Sequence, residues 1–154
     1  MSNESLVRIG EIKDADTLAK FNSAMAWETE RKKLSPDVVA RGVQTLLNDP
    51  RHGFYVVAEI DREVVGSLMV TYEWSDWRDA SFWWIQSVYV EPDFRKQGIF
   101  RRLYEFVKEK ASQETTICGL RLYVEQDNIA AQSTYERIGM SQVPYKLYEE
   151  SFES

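Results

Sequence analysis

The sequence predicts a mixed α/β domain in which helices cover the faces of a central sheet. Three observations carry that expectation. Period-two and period-3.6 hydrophobic segments succeed one another along the whole chain, in the order β-α-α-β-β-β-α-β-α-β. No repeat, low-complexity stretch or Pro/Gly/Ser-rich linker interrupts them, so residues 1–154 are expected to form a single domain. Hydrophobic residues at 44% and charged residues at 29% are the proportions of a globular chain, not a disordered one.

Each element follows from its own residues. Leu6–Ile12 alternates apolar and polar side chains and predicts a first strand. Asp14 or Asp16 can cap a helix whose Leu18, Phe21 and Met25 recur at helical spacing. Ser35-Pro36-Asp37 starts a second helix with proline in its first turn, and Asn48-Asp49-Pro50 stops it. Its stripe is Val39, Val43, Leu46 and Leu47. Phe54–Ile60 and Val64–Trp74 read as a hairpin around Asp61-Arg62-Glu63. Ser81–Val90 is a further strand, closed by Pro92. Gly98–Gln113 is helical, with Ile99, Leu103, Phe106, Val107 and Ala111 on one face. Gly119–Glu125 predicts a strand, Asp127–Ile138 a helix with Gly139 as its C-cap, and Gln142–Glu149 a last strand before an acidic tail.

Composition narrows the function. Nineteen basic against 25 acidic residues give a net charge of −6, the opposite of what a nucleic-acid binder uses against phosphates. One cysteine, Cys118, and one histidine, His52, exclude a disulfide framework and a Cys/His metal centre, so no metal is expected. The polar N-terminus and the lack of a long apolar run lead to the expectation of a cytoplasmic protein without a membrane partner.

Two constellations stand out. In Val88-Tyr89-Val90-Glu91-Pro92-Asp93-Phe94-Arg95-Lys96-Gln97-Gly98-Ile99-Phe100-Arg101-Arg102 an apolar strand meets a proline-broken turn, and a basic glycine-containing loop then opens a helix. Four cations and no anion lie between Phe94 and Arg102. A helix start leaves backbone N–H groups free and accepts phosphates, and glycine lets the backbone come close to the anion. A solvated basic helix start fits the loop equally well. Some thirty residues on, Asn128 and Tyr135 share a helix face with Ala131 between them, followed by Gly139-Met140. Taken alone, these read as a helix cap and a packed ring.

Together the two segments resemble the GCN5-related N-acetyltransferase (GNAT) family. Arg95-x-x-Gly98-x-Phe100 after Val88-Tyr89-Val90-Glu91-Pro92 resembles its acetyl-CoA loop, save that Phe100 stands where small residues are usual. Asn128, Ala131, Tyr135, Gly139 and Met140 match the later motif completely. The resemblance spans nearly the whole chain and implies a mostly antiparallel central sheet, acetyl-CoA as cosubstrate, and transfer of acetyl to an amine. It implies that the backbone of Val88, Tyr89 and Val90 holds the pantetheine and polarises the thioester, that Arg95, Lys96, Gln97, Gly98, Ile99, Phe100 and Arg101 hold the pyrophosphate, and that Asn128 and Ala131 flank the pantetheine arm. Tyr135 would return a proton to the thiolate. Phe100 could press on the pyrophosphate path or point back into helix packing.

The base is expected among carboxylates. His52 reads as a turn residue, and Cys118 as structural, so acetyl is expected to pass directly within a ternary complex. Glu73, at a strand end beside Trp74, is the first choice and Glu28 the second, with Glu30 as a further attractor of a cationic amine. Gln86 stands where many relatives place a carboxylate, and an amide there orients water without taking a proton. Trp77, Trp83 or Trp84 would wall the acceptor pocket. Each carboxylate taken singly reads as a solvated charge. The acceptor is expected to be a small amine, a polyamine or a lysine-like peptide amine; a homodimer is left open. The competing readings are a non-catalytic acyl-CoA-binding module and, more distantly, a phosphotransfer protein, whose Lys-Ser/Thr loop ending is missing.

Overall fold

The computed structural model describes residues 5–153. Strand β1 (Ser5–Ile9) leads through a short 3₁₀ turn into α1 (Ala15–Glu30) and α2 (Pro36–Asn48). Strands β2 (Gly53–Ile60), β3 (Glu63–Ser75) and β4 (Ala80–Val90) follow, then α3 (Ile99–Ser112), β5 (Ile117–Arg121) and α4 (Ile129–Arg137). The sheet order is β1-β2-β3-β4-β5, antiparallel throughout except for the parallel β4–β5 pair. The chain divides into two compact units, residues 1–123 with the whole sheet and residues 124–154 with α4.

Both faces of the sheet are covered. Tyr55 and Val57 of β2 pack with Leu18 of α1 and with Val43 and Leu46 of α2. The alternate residues Val56 and Ala58 are equally buried and face the other way. Gly66 is paired with Ala58, and a Cβ on it would come within 3.0 Å of Ile99, which places α3 on that second face. Leu103 and Val107 of α3 are fully buried there. Each such side chain contributes roughly 1.5–3 kcal/mol when removed from water.

The differences from expectation have local causes. The first strand stops at Ile9; Gly10 beyond it still donates its N–H to the Tyr55 carbonyl at 2.7 Å and lies so close that an added Cβ would meet the Cβ of Tyr55 at 2.9 Å. Asp14 caps nothing at α1. Its buried carboxylate instead takes both terminal nitrogens of Arg8, at 2.8 and 2.9 Å, and the Glu11 N–H at 2.7 Å. Arg8 also donates to Glu59. Strand β5 starts earlier than expected, because Thr116 accepts from the Ser81 N–H and Gly119 must lie opposite Phe82, whose ring would be 2.9 Å from a Cβ. Residues 142–149 form no strand, and Pro144 has no N–H to give to a ladder.

Candidate active site

Strand β4 is paired differently on its two sides. Its antiparallel ladder with β3 continues to Val90, opposite Gly66. Its parallel ladder with β5 ends at Trp84, opposite Arg121. From Ile85 to Val90, β4 therefore has a strand on one side only among the described residues. Between the pairs Met69–Gln86 and Ser67–Tyr89, one residue of β3 opposes two of β4, a β-bulge. Ser87 in that bulge has φ +52°, a left-handed conformation that non-glycine residues seldom adopt. This open edge, with backbone donors and acceptors at Val88 and Tyr89, can be paired by an extended ligand carrying amides.

The loop after β4 ends at the start of α3. Lys96 (φ +64°) and Gly98 (φ +79°) are both left-handed, a backbone in which neighbouring N–H groups can converge on an anion. No side chain caps α3, and a Cβ at Gly98 would meet nothing within 4 Å, so the space before the helix is open. The cations are not equally available. Arg95 donates from Nε to the Val90 carbonyl (2.8 Å), pairs with Glu28 (2.7 Å) and lies over the Tyr89 ring at 5.4 Å. Arg101 pairs with Glu105 one turn on, at 3.1 Å. Lys96 and Arg102 make no ion pair among the described residues. Gln97 donates to the Asp93 carbonyl at 3.1 Å. Ile99 is buried, and the Phe100 ring lies 6.2 Å from that of Tyr104, directed along the helix.

The carboxylates occupy two separate networks. Glu28 uses both oxygens: Oε2 accepts from the Tyr89 hydroxyl at 2.7 Å and Oε1 from Arg95 at 2.7 Å. Those two hydrogen bonds, Tyr89's first, hold it below the usual carboxylate range. Burial and then Glu28 push the Tyr89 phenol up to about 12. Glu73 accepts from the Trp84 indole (3.0 Å) and from Arg121 (2.7 Å), both at Oε1. The Trp84 bond, followed by Arg121, likewise lowers its pKa. Its Oε2 makes no hydrogen bond among the described residues. Gln86 donates to Thr71 at 2.6 Å on the same face, and Glu30 is exposed at the end of α1.

The expected tryptophan wall reduces to Trp84. Trp83 points to the opposite face into Phe54 and Tyr72, and Trp77 is 87% exposed at the hairpin tip. Sequence reasoning passed over Arg121 and Arg78, both of which lie over the Phe82 ring, at 3.6 and 5.0 Å. An arginine flanked by leucines reads as ordinary strand alternation, so the sequence offered no signal. The expectation of an acidic cleft is thereby reshaped, since Arg95 and Arg121 each neutralise one of its carboxylates. His52 and Cys118 are both exposed; His52 lies 3.7 Å from Asp49, and Cys118 is unpaired in β5.

In the second unit, the spacing of the later motif is that of a capped helix. Asn128 is the N-cap of α4, its Oδ1 accepting from Ala131 N–H at 3.1 Å. At the other end, Met140 N–H donates to the Tyr135 carbonyl at 3.0 Å and Gly139 N–H to Glu136 at 3.2 Å, with Gly139 at φ +105°. This is a Schellman stop. Asn128, Ala131, Tyr135, Gly139 and Met140 thus define one short helix from start to end. Burial pushes the Tyr135 phenol above its ordinary value, so it keeps its proton at neutral pH.

Comparison with known proteins decides the family. The model of the acetyltransferase (GNAT) family matches residues 12–140. The chain belongs to that family. Its sheet and helices superpose on a possible acetyltransferase from Clostridium difficile 630 with a TM-score of 0.91 and 45% identity, covering 97% of this chain and 99% of that one. It is 28% identical over 130 residues to the mycothiol acetyltransferase of Gordonia bronchialis, 84% of this chain but only 41% of that protein, so it spans about two fifths of that relative's length. An aminoglycoside N-acetyltransferase in complex with CoA shares the fold at TM-score 0.81 and 12% identity, over 99% of this chain and 97% of that one.

Acetyl-CoA is the cosubstrate of the family to which the chain belongs. Its residues suit that group: the one-sided edge of β4 offers amide partners, and the uncapped start of α3 offers donors for phosphate. No group of three or more His, Cys, Asp or Glu able to hold a metal occurs among the described residues, and none of the described helices is long and apolar enough to cross a membrane.

Proposed function

We propose that the chain transfers acetyl from acetyl-CoA directly to a primary amine within a ternary complex. The observation that carries this reading is the continuity of the open β4 edge at Val88–Val90 with the uncapped, glycine-led start of α3. An extended pantetheine arm would pair with the first while the pyrophosphate meets the second, through Arg95, Lys96, Gln97, Gly98, Ile99, Phe100 and Arg101. Asn128 and Ala131 are assigned to the pantetheine, with the Asn128 amide nitrogen left to donate while its oxygen caps α4.

The amine nitrogen attacks the thioester carbonyl carbon, and backbone donors near Val88 stabilise the oxyanion. When the C–S bond breaks, the thiolate takes the Tyr135 phenolic proton. The proton lost by the amine goes to Glu73, directly or through water oriented by Gln86. Glu73 is preferred to Glu28 because its Oε2 is unspent, whereas Glu28 has both oxygens committed. The Trp84 and Arg121 hydrogen bonds lower the Glu73 pKa, so its base form is present at neutral pH. Activity should therefore rise with pH as the amine loses its proton, and not with the carboxylate.

The acceptor class is a small or peptide-borne amine whose apolar stem lies against Trp84. The likeness to a mycothiol acetyltransferase, at 28% identity, fits a small-amine reading. Thiol release from acetyl-CoA over a panel of polyamines, amino sugars and lysyl peptides tests it. Release with at least one amine, and an acetylated product by mass, is the expected result. CoA binding without release for any amine would leave an acyl-CoA-binding module.

A further inference from the structure

The sheet face around Glu73 carries more positive charge than a pocket for a bare amine should. Glu73 lies opposite Phe82, and Thr71 opposite Trp84, which is itself opposite Arg121 on β5, so these side chains share one face. Two guanidiniums lie over the Phe82 ring, Arg121 at 3.6 Å and Arg78 at 5.0 Å from its centroid. Among the described residues Glu73 is the one carboxylate paired with either, taking Nη1 of Arg121 at 2.7 Å. Arg78 donates to Ser75 Oγ at 3.2 Å and makes no ion pair among the described residues. Two cations thus face one anion, and a polyamine or an isolated ammonium would enter against repulsion.

Arg121 is arranged to take a second anion. A guanidinium carries five N–H groups, and Arg121 makes one hydrogen bond among the described residues, to Glu73 Oε1. That bond and the Phe82 ring beneath it fix the guanidinium in place, while Glu73 Oε2 is left for a donor. The pair therefore presents an acceptor oxygen beside donor nitrogens. An α-amino acid carries the complementary arrangement, an amino group and a carboxylate on one carbon. Resting on the transferase reading above, we propose that the acceptor is a free α-amino acid. Its amino group meets Glu73 Oε2, its carboxylate meets the remaining N–H groups of Arg121, and its side chain lies against Trp84 and Tyr123, whose ring centroids are 5.7 Å apart. The entering ammonium first loses a proton to water. The free amine then forms the C–N bond at the thioester carbonyl and gives its proton to Glu73, and the C–S electron pair leaves on sulfur, which takes the phenolic proton. Arg121 thereby selects the acceptor. A polyamine or a lysine side chain lacks the adjacent carboxylate, and a peptide N-terminus has it tied up in an amide.

Thiol release from acetyl-CoA by the full chain, over matched acceptors, tests the assignment. The acceptors are phenylalanine and methionine, their amides, and two amines without a carboxylate, phenethylamine and spermidine. The expected kcat/KM for each free amino acid is at least about 100-fold above that of its amide. The comparison is stringent, because a neighbouring carboxylate keeps an amine protonated and the amide offers more free amine at neutral pH. Arg121→Gln should bring phenylalanine to within about threefold of its amide, whereas Arg121→Lys, which keeps the charge and loses the fork, should retain a preference of about tenfold. If Arg121 served only to hold Glu73, Arg121→Gln would slow acid and amide alike and leave their ratio unchanged, which overturns the assignment. Amides or phenethylamine used as well as the free amino acids by the parent chain, a comparison that needs no variant, also overturn it and leave the transferase reading standing. Thiol release with no acceptor of any class defeats that reading and this proposal together.

Discussion

Replacing Glu28 by Gln separates two roles that meet at one carboxylate. Glu28 holds Arg95 at 2.7 Å, and Arg95 belongs to the loop proposed for the pyrophosphate. While that pair stands, Arg95 is directed at α1 and the Val90 carbonyl. Binding of CoA must then break the pair or leave Arg95 out of the phosphate site. The two side chains are 42% and 36% exposed, so solvent screening limits the pair to about 0–1 kcal/mol. Glu28→Gln keeps an oxygen for the Tyr89 hydroxyl and removes the charge that competes with phosphate. CoA affinity measured by calorimetry should tighten by up to about fivefold, the equivalent of about 1 kcal/mol. Turnover should change by less than about threefold, whereas Glu73→Gln should lower it by roughly 10²-fold or more. Unchanged or weaker CoA binding in Glu28→Gln would refute the competition and make Arg95 a fixed tie between α1 and β4. A large loss of turnover in Glu28→Gln would move the base to Glu28.

Three further outcomes follow from the same geometry. Gly98→Glu places a carboxylate in open space at φ +79°, a conformation that costs an L-residue about 1–2 kcal/mol; CoA binding should be lost in a titration while circular dichroism stays close to the parent's. Tyr135→Phe keeps the ring and loses the donor, so single-turnover rates should fall ~10²–10⁴-fold with CoA affinity unchanged, and equal rates would leave Tyr135 as packing. Asp14→Ala removes the buried partner of Arg8's two terminal nitrogens while Glu59 keeps its Nε, and should cost about 1–3 kcal/mol in urea unfolding. Burial works to raise the Asp14 pKa, but the Arg8 and Glu11 hydrogen bonds and the Arg8 charge outweigh it and lower it in the folded state. The parent's extra stability is therefore present above the unfolded value near ~4 and is lost as pH falls through the lower folded value, a dependence the variant should lack.

The fold was legible wherever one segment decided its own structure. Pro36 at a helix start, the Asp61-Arg62 turn and the stripe from Ile99 to Ala111 all act locally, and the sheet follows from their order. The α4 motif was legible for the same reason, because Asn128 and Gly139 are the helix's own start and stop. What escaped depends on contacts far apart in sequence. Neither the Arg95–Glu28–Tyr89 network, which spans 61 and 67 positions, nor the Arg121–Glu73 pair, which spans 48, leaves a spacing to read. The left-handed Ser87 is set by register against β3, and a serine in a strand gives no sign of it. Gln142–Glu149 has a strand's alternation, but a strand also needs a neighbour, and the sequence does not say where one is.

Direct N-acetyl transfer is tested most simply by following the acetyl carbon itself. Acetyl-CoA labelled with ¹³C at its carbonyl is mixed with the protein and an accepted amine, and the label is observed by NMR. The label should move from thioester to amide in a single phase, at a rate that depends on amine concentration, with no protein-bound acyl species at any time. A label that remains a thioester with every amine, or that first appears on the protein at Cys118, would contradict the account.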